Sequence, residues 1–154
     1  MQHDKANLVT IPVYKLKLVK DGELKLNLDR LVSANSIVKL LLYLGFHEKP
    51  CEEYHIIYLD CENQITGIEM ISMGTVNHAI IHPRDVFKGA LQANARSIII
   101  AHSHPSGNAE PGMIDKDVTQ RLQSASVMLQ IPILDHIIIG SSGAHFSFNE
   151  HMLL

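Results

Sequence analysis

Apolar and polar residues recur along the chain with two periods, and these periods predict its elements. Near the start, alternation in steps of two predicts a β-hairpin with strands over 11–19 and 23–28 and an Asp-Gly turn between them. An apolar run then predicts a helix over 37–44. The run stops at Gly45, a residue that commonly ends helices. The chain therefore begins with a hairpin and a helix.

The rest of the chain is predicted to alternate strands and helices. The predicted elements in order are strands 54–59, 65–73 and 77–81, a helix 83–94, a strand 97–101, a helix 113–129, and strands 133–139 and 144–148. Apolar residues in steps of three or four predict the longer helix, and unbroken apolar runs predict strands covered on both faces. This order predicts an α/β or mixed α+β class, with a mixed β-sheet flanked by helices.

Length and composition are those of one globular unit. The chain has 154 residues, of which 46% are hydrophobic and 19% charged, enough to bury a core without disulfides. Within this unit we distinguish residues 1–50, a hairpin and a helix packed on the core, from residues 51–154, which hold the candidate site.

Charge and cysteine content limit the partners and the compartment. The formal net charge is −3 and the sequence pI is about 6.3, which argues against a nucleic acid wrapped on a basic face. Cys51 and Cys61 are too few for a disulfide framework and predict reduced thiols in a cytoplasmic protein. No apolar run reaches a membrane span and the first residues do not resemble a signal peptide, so we expect no membrane partner.

The segment around His102 and His104 carries the candidate chemistry. Two histidines two residues apart on an extended backbone point to the same side, with Cα atoms about 6.6 Å apart. Asp115 follows eleven residues later, in the first turn of the next predicted helix. Two histidines and one carboxylate leave a position open for water, as in a catalytic zinc site. The alternative is two loop histidines and an aspartate that complements the helix dipole, and spacing alone leaves both open.

The same segment resembles the signature of a known family. The run His102-Ser103-His104-Pro105-Ser106-Gly107, followed by Pro111 and Asp115, resembles the H-x-H-P-S-G…P-S-x-x-D pattern of the RadC family. RadC proteins are the bacterial branch of the JAB/MPN metalloenzymes. Further segments that resemble the family are 58–60, 74–77, 82–87 and 134–140. The resemblance covers residues 52–148, and we interpret Asp135 and His136 within it as structural or as supports for the ligand side chains.

The resemblance implies a zinc-dependent peptidase with the cytidine-deaminase-like architecture of JAB/MPN domains. It implies one Zn²⁺ per chain, held by His102, His104 and Asp115, and a peptide or protein substrate. Eukaryotic relatives cleave isopeptide bonds to ubiquitin-like proteins. The family also requires a glutamate beside the metal, and its position falls on Glu52. A carboxylate there can take a proton from water and deliver it to a leaving amine.

Two other glutamates are alternatives to Glu52. Glu53 is its neighbour, and neighbours on a strand face opposite ways, so only one of the two can serve. Glu69, on the next predicted strand, ranks third. A solvated glutamate at the start of a strand is the alternative without a functional role.

The sequence departs from the family pattern at one position. Family members carry a serine three residues before the metal-binding aspartate, where this chain has Gly112. The serine is thought to donate to the oxyanion of the tetrahedral intermediate, and loss of such a donor costs about 10²–10³ in rate. Ser106 and Asn108 on the same loop are possible substitutes.

Three functions are therefore compared. The first is a zinc metallopeptidase or isopeptidase-like hydrolase, and the second is a non-catalytic metal-binding or protein-interaction domain, which Gly112 favours. The third is a DNA-repair or mobile-element accessory, which the name RadC suggests. Longer family members carry a helix-hairpin-helix DNA-binding module, and nothing in residues 1–50 resembles it. We therefore expect no strong direct DNA binding.

Overall fold

A computed structural model describes most of the chain as three helices and five strands. The described residues are 11–15, 17–25, 33–74 and 81–154. The helices are α1 (Ala34–Tyr43), α2 (Pro83–Gln92) and α3 (Met113–Leu129), with a short 3₁₀ helix at Phe46–Glu48, and the strands are β1 (Glu53–Leu59), β2 (Ile65–Met73), β3 (Ser97–His104), β4 (Ile133–Gly140) and β5 (His145–Ser147).

Local chemistry explains where the helices begin and end. The Ser33 hydroxyl accepts a hydrogen bond from the Ser36 amide at 3.3 Å and caps α1, and Gly45 follows that helix with a positive φ of 71°. Pro83 occupies the first position of α2, where its missing N–H costs nothing. Helix α3 ends at Gln130, whose φ of 56° lies in the left-handed region.

The five strands form one mixed sheet in the order β2-β1-β3-β4-β5. Strand β1 is antiparallel to both β2 and β3, β3 is parallel to β4, and β4 is antiparallel to β5. Helix α3 connects the two parallel strands. In this register Tyr54 of β1 is the partner of His102 of β3. The carboxyl end of β3 and the start of α3 therefore lie beside the start of β1.

Helices cover both faces of the sheet. Helices α2 and α3 bury Phe87 and Leu122, among others, against the face that carries Tyr54 and Ile100. Helix α1 packs on the opposite face, where Leu41 meets Ile57, Ala101 and Ile137. Strand β3 is buried along its whole length because both of its faces are covered. This explains the unbroken apolar run in its sequence.

The predicted class, a mixed sheet flanked by helices, is confirmed. Strand β2 and helix α3 have the predicted bounds. The predicted strand over 77–81 lies outside the described residues except for Ile81, which is not in a strand.

The predicted N-terminal hairpin is wrong where the structure describes it. Residues 11–15 and 17–25 have no regular secondary structure and are exposed, and the remaining predicted positions lie outside the described residues. Val13 is 95% exposed. Isolated two-stranded hairpins are marginal in water, and the described residues of this segment bury no apolar face against the core. Helix α1 does pack on the sheet, and the division at residue 50 stays a prediction.

Among the described residues, no helix is both long enough and apolar enough to cross a bilayer.

Candidate metal centre

Three side chains converge where β3 ends and α3 begins. His102 and His104 project from the same face of β3, and their Nε2 atoms lie 2.8 Å apart. Asp115, in the first turn of α3, places Oδ1 3.4 Å from His102 Nε2 and Oδ2 3.6 Å from His104 Nε2. All the prospective ligand atoms lie within 4.8 Å of one another. The structure thus brings together the three residues that the sequence predicts as ligands.

The loop between β3 and α3 closes on itself and orients His104. The Gly107 amide donates to the His104 carbonyl at 3.1 Å, in a turn where Gly107 has a φ of 86°. The loop then brings the Asn108 carbonyl within 2.8 Å of His104 Nδ1. A carbonyl oxygen only accepts, so Nδ1 donates to it, and Nε2 is the nitrogen left to face the other prospective ligands.

The carboxylate of Asp115 is held on both oxygens. The Tyr54 hydroxyl donates to Oδ1 at 3.1 Å, and the Gly112 amide donates to Oδ2 at 2.7 Å. Burial alone would raise the pKa of Asp115. The contacts with the His102 and His104 rings and the hydrogen bond from the Gly112 amide outweigh burial and hold that pKa well below its usual range. The group is therefore an anion at neutral pH.

His102 is fully buried between aromatic rings. The Tyr54 ring stacks on it with ring centroids 4.2 Å apart. On its far side, Nδ1 lies 2.7 Å from Nε2 of His136, which is equally buried. Burial lowers the pKa of His102 although the nearby Asp115 carboxylate raises it, and burial lowers the pKa of His136 further. Both rings are therefore neutral at neutral pH.

The donor set fits a divalent transition-metal ion. Imidazole nitrogen and carboxylate oxygen are ordinary zinc ligands, and three protein ligands are typical of sites that also hold a water. Among the described residues, this is the one group of three or more His, Cys, Asp or Glu side chains with converging ligand atoms.

Glu52 lies on the same side of the sheet as the prospective ligands. If the antiparallel register that pairs Tyr54 with His102 is continued, Glu52 stands opposite His104 and faces the same way. Glu52, His104 and Asp115 all line one cleft of about 410 Å³. Burial chiefly, and then the charges of Asp115 and Glu52, raise the pKa of the Tyr54 hydroxyl.

The two alternative glutamates lie away from this cleft. Glu53 is buried on the opposite face, where its Oε2 lies 3.0 Å from Lys49 Nζ and 3.0 Å from His55 Nε2. Burial raises the pKa of Glu53, but its hydrogen bonds to His55 and Lys49 outweigh that effect and lower it. Glu69 accepts a hydrogen bond from Tyr58. Position therefore favours Glu52 for a role beside a metal, and that role stays a prediction.

The other predicted positions line the same cleft. Ser106, Asn108 and Gly112 all contribute to its wall. Gly112 has a φ of −70° and a ψ of 176°, an ordinary extended conformation that any residue can adopt. The glycine at this position is therefore not required by the backbone.

Sequence reasoning missed two residues of the site. Tyr54 was predicted only as the start of a strand, and Thr119 only as part of a helix. The Thr119 hydroxyl lies 2.7 Å from His136 Nδ1 and donates to the Asp115 carbonyl at 2.6 Å. No local motif marks either residue. A helical wheel would have placed Thr119 one turn after Asp115 on the same face.

Comparison with known proteins identifies relatives of this chain. A family described as RadC-like JAB domain matches residues 31–153. A UPF0758 protein of Pelodictyon phaeoclathratiforme is 50% identical over 103 residues, which are 67% of this chain and 46% of the relative. A UPF0758 protein of Pasteurella multocida is 38% identical over 130 residues, 84% of this chain and 58% of the relative. The chain spans about half the length of the curated relatives it matches.

Proposed function

The chain belongs to the RadC family of JAB-domain proteins, and on that basis we propose that it is a zinc-dependent hydrolase of peptide or isopeptide bonds. His102, His104 and Asp115 hold the metal in this proposal, and Glu52 is the acid/base. The observation that carries it is the shared cleft, where a glutamate lies with two of the three prospective ligands and its neighbour Glu53 is buried on the other face.

The chemistry divides between the metal and the chain's own residues. Zinc held by these three side chains would lower the pKa of a water towards about 7 and would polarise a carbonyl. Glu52 takes a proton from the attacking water and later delivers it to the leaving amine. Tyr54 and the Gly112 amide keep Asp115 ionised and oriented while this happens.

The apolar side chains at the rim of the cleft favour a polypeptide as the substrate. The rim includes the apolar side chains Met113 and Ile114, of which Met113 is 89% exposed. An extended peptide can cover these side chains while its scissile carbonyl reaches the cleft between Glu52 and Asp115.

Metal content tests the ligand set. Elemental analysis of the purified protein should give about one zinc per chain, and His104→Ala should lose it, because two ligands hold zinc far more weakly than three. Ser106→Ala is the matched control, since Ser106 lies on the same loop but is not a prospective ligand. Equal zinc in wild type and His104→Ala would refute the site.

A pair of glutamate variants tests the reaction. Glu52→Gln should retain zinc and lose hydrolysis of a panel of peptide and isopeptide substrates, because an amide cannot accept the proton. Glu53→Gln should retain activity, apart from losses caused by lower stability. If Glu53→Gln is the inactive, folded and zinc-loaded variant instead, Glu52 is not the acid/base.

Gly112 favours one other function, a metal-binding or protein-interaction domain without turnover. The family serine that assists the oxyanion is absent at this position. Zinc binding with no hydrolysis by any variant, Gly112→Ser included, would support that function over the hydrolase.

A further inference from the structure

We propose that Thr119 and His136 are positioning residues that hold His102 in the one tautomer able to bind a metal. The inference rests on the zinc site of the proposed function and adds two residues to it. Four hydrogen-bonding groups lie in a row: the Asp115 carbonyl, the Thr119 hydroxyl and the rings of His136 and His102. The donors and acceptors in this row allow only one placement of the protons.

The row begins at a backbone carbonyl. The Thr119 hydroxyl lies 2.6 Å from the carbonyl oxygen of Asp115, one helical turn earlier. A carbonyl oxygen has no hydrogen to give, so the hydroxyl donates its one proton there. Towards its other neighbour, the Thr119 oxygen can only accept.

That other neighbour is His136 Nδ1, which lies 2.7 Å from the Thr119 oxygen. Because the oxygen accepts, Nδ1 must carry a proton. A neutral imidazole has one N–H, so Nε2 of His136 presents a lone pair. The Phe148 ring stacks on His136 with centroids 4.6 Å apart and an interplanar angle of 12°, which restrains the ring from turning over.

The lone pair of His136 determines the state of His102. His102 Nδ1 lies 2.7 Å from His136 Nε2 and must therefore donate to it. Nε2 of neutral His102 then presents its lone pair towards His104 and Asp115. His104 reaches the same state by its own bond to the Asn108 carbonyl. Without this row, His102 could place its proton on Nε2 and would not be a ligand.

The result is a site whose groups all require a cation. Two Nε2 lone pairs face each other at 2.8 Å beside the carboxylate of Asp115, and no N–H of a neutral ring lies between them. Such a group favours a bound metal ion, which accepts all three lone pairs at once. The parallel pairing of β3 and β4 places His136 opposite Ile100, two residues from His102 on the same face of the sheet, which brings the two imidazoles together.

Zinc affinity tests the role of Thr119. Thr119→Val keeps the shape and removes the hydroxyl, so it should weaken zinc binding about 10–100-fold in a competition with a chromophoric chelator. Thr119→Ser should restore the affinity. Ser126→Ala is the matched control, because Ser126 is a buried residue of α3 whose hydroxyl donates to the carbonyl of Gln123 and not to a histidine of the site. If Thr119→Val binds zinc as tightly as wild type, the positioning role is refuted and the zinc site stands.

The tautomers can be observed directly. In ¹H–¹⁵N spectra of the metal-free protein, both His102 and His136 should carry a proton on Nδ1, and Nε2 of His136 should carry none. A protonated Nε2 on His136 would overturn the inference even if zinc binds. If the wild type binds no zinc, the hydrolase proposal fails, and the same spectra decide separately whether the hydrogen-bonded row exists.

Discussion

Tyr54 stacks on His102 with ring centroids 4.2 Å apart and an interplanar angle of 11°. The two residues are direct partners across β1 and β3, so the stack is built into the sheet register. The same tyrosine donates its hydroxyl to Asp115. One side chain of β1 therefore contacts two of the three prospective ligands, and neither contact is marked by a motif in the sequence.

Tyr54→Phe should remove one of the two contacts of this tyrosine and keep the other. The ring stack remains, but the hydrogen bond to Asp115 is lost, so one carboxylate oxygen is less well held. We expect zinc affinity to fall about tenfold, with the protein still folded. Chelator competition measures the affinity. Tyr58→Phe, which removes a buried tyrosine hydroxyl elsewhere on β1, is the control and should leave zinc binding unchanged. Equal affinities for wild type and Tyr54→Phe would contradict the role of the hydroxyl.

Gly112→Ser should accelerate hydrolysis if the reaction follows the family mechanism. The expected gain in kcat is about 10²-fold, or roughly 3 kcal/mol of transition-state stabilisation. The backbone accepts serine, since a Cβ at this position lies 3.4 Å from Asp115 Oδ2, in ordinary contact. Gly112→Ala adds the same Cβ without the hydroxyl and should give no gain. A folded, zinc-loaded serine variant that is no faster on a substrate cleaved by wild type would mean that another donor stabilises the oxyanion.

The metal-free protein should lose stability as the pH falls below about 6.5. Burial lowers the pKa values of His55, His102 and His136 from an ordinary value of 6.5, and at His102 this outweighs the opposing effect of Asp115. In that window the unfolded chain binds more protons than the folded one, so the free energy of unfolding decreases with decreasing pH. Denaturant titrations with a chelator at about pH 7.5 and about pH 5 measure the slope. His136→Gln should flatten it, and a flat wild-type profile would contradict the prediction.

Gly140→Ala should damage both stability and metal binding. Gly140 pairs with His104 at the end of β4, and a Cβ there would overlap the carbonyl oxygen of Gly107. The backbone of the loop must move, at a cost of about 1–3 kcal/mol, and the acceptor of His104 moves with it. Gly67→Ala is the control, because its Cβ meets only the Tyr58 ring at 3.4 Å. Denaturation and zinc competition together measure the effect, and unchanged zinc affinity in Gly140→Ala would show that the loop absorbs the overlap.

Direct binding to duplex DNA should be no tighter than about micromolar at physiological salt. The formal net charge of −3 offers little general attraction to phosphate. A fluorescence titration over a range of salt concentrations measures this. A nanomolar affinity that falls steeply with salt would contradict the prediction and favour a role in DNA repair through direct contact.

The periodicity of apolar residues in the sequence was sufficient to predict much of the fold. Helix α3 and strand β2 were predicted with their observed bounds, because each has a long apolar period and clear turn residues on both sides. The N-terminal hairpin had an equally regular period and is absent from 11–15 and 17–25. Alternation reports which residues could share a face, but a strand forms only where another strand or a core is available to it.

The spacing of His102 and His104 placed two imidazoles on one face without knowledge of the fold, since side chains alternate along any strand. The choice between Glu52 and Glu53 needed the tertiary structure. It depends on which face of β1 meets β3, and strand pairing sets that. The row from Thr119 through His136 to His102 joins residues on two strands and a helix, through bonds between side chains that no local pattern records. The sequence alone therefore identified the three prospective ligands, whereas only long-range packing decided which glutamate lines the cleft and which nitrogen of His102 faces Asp115.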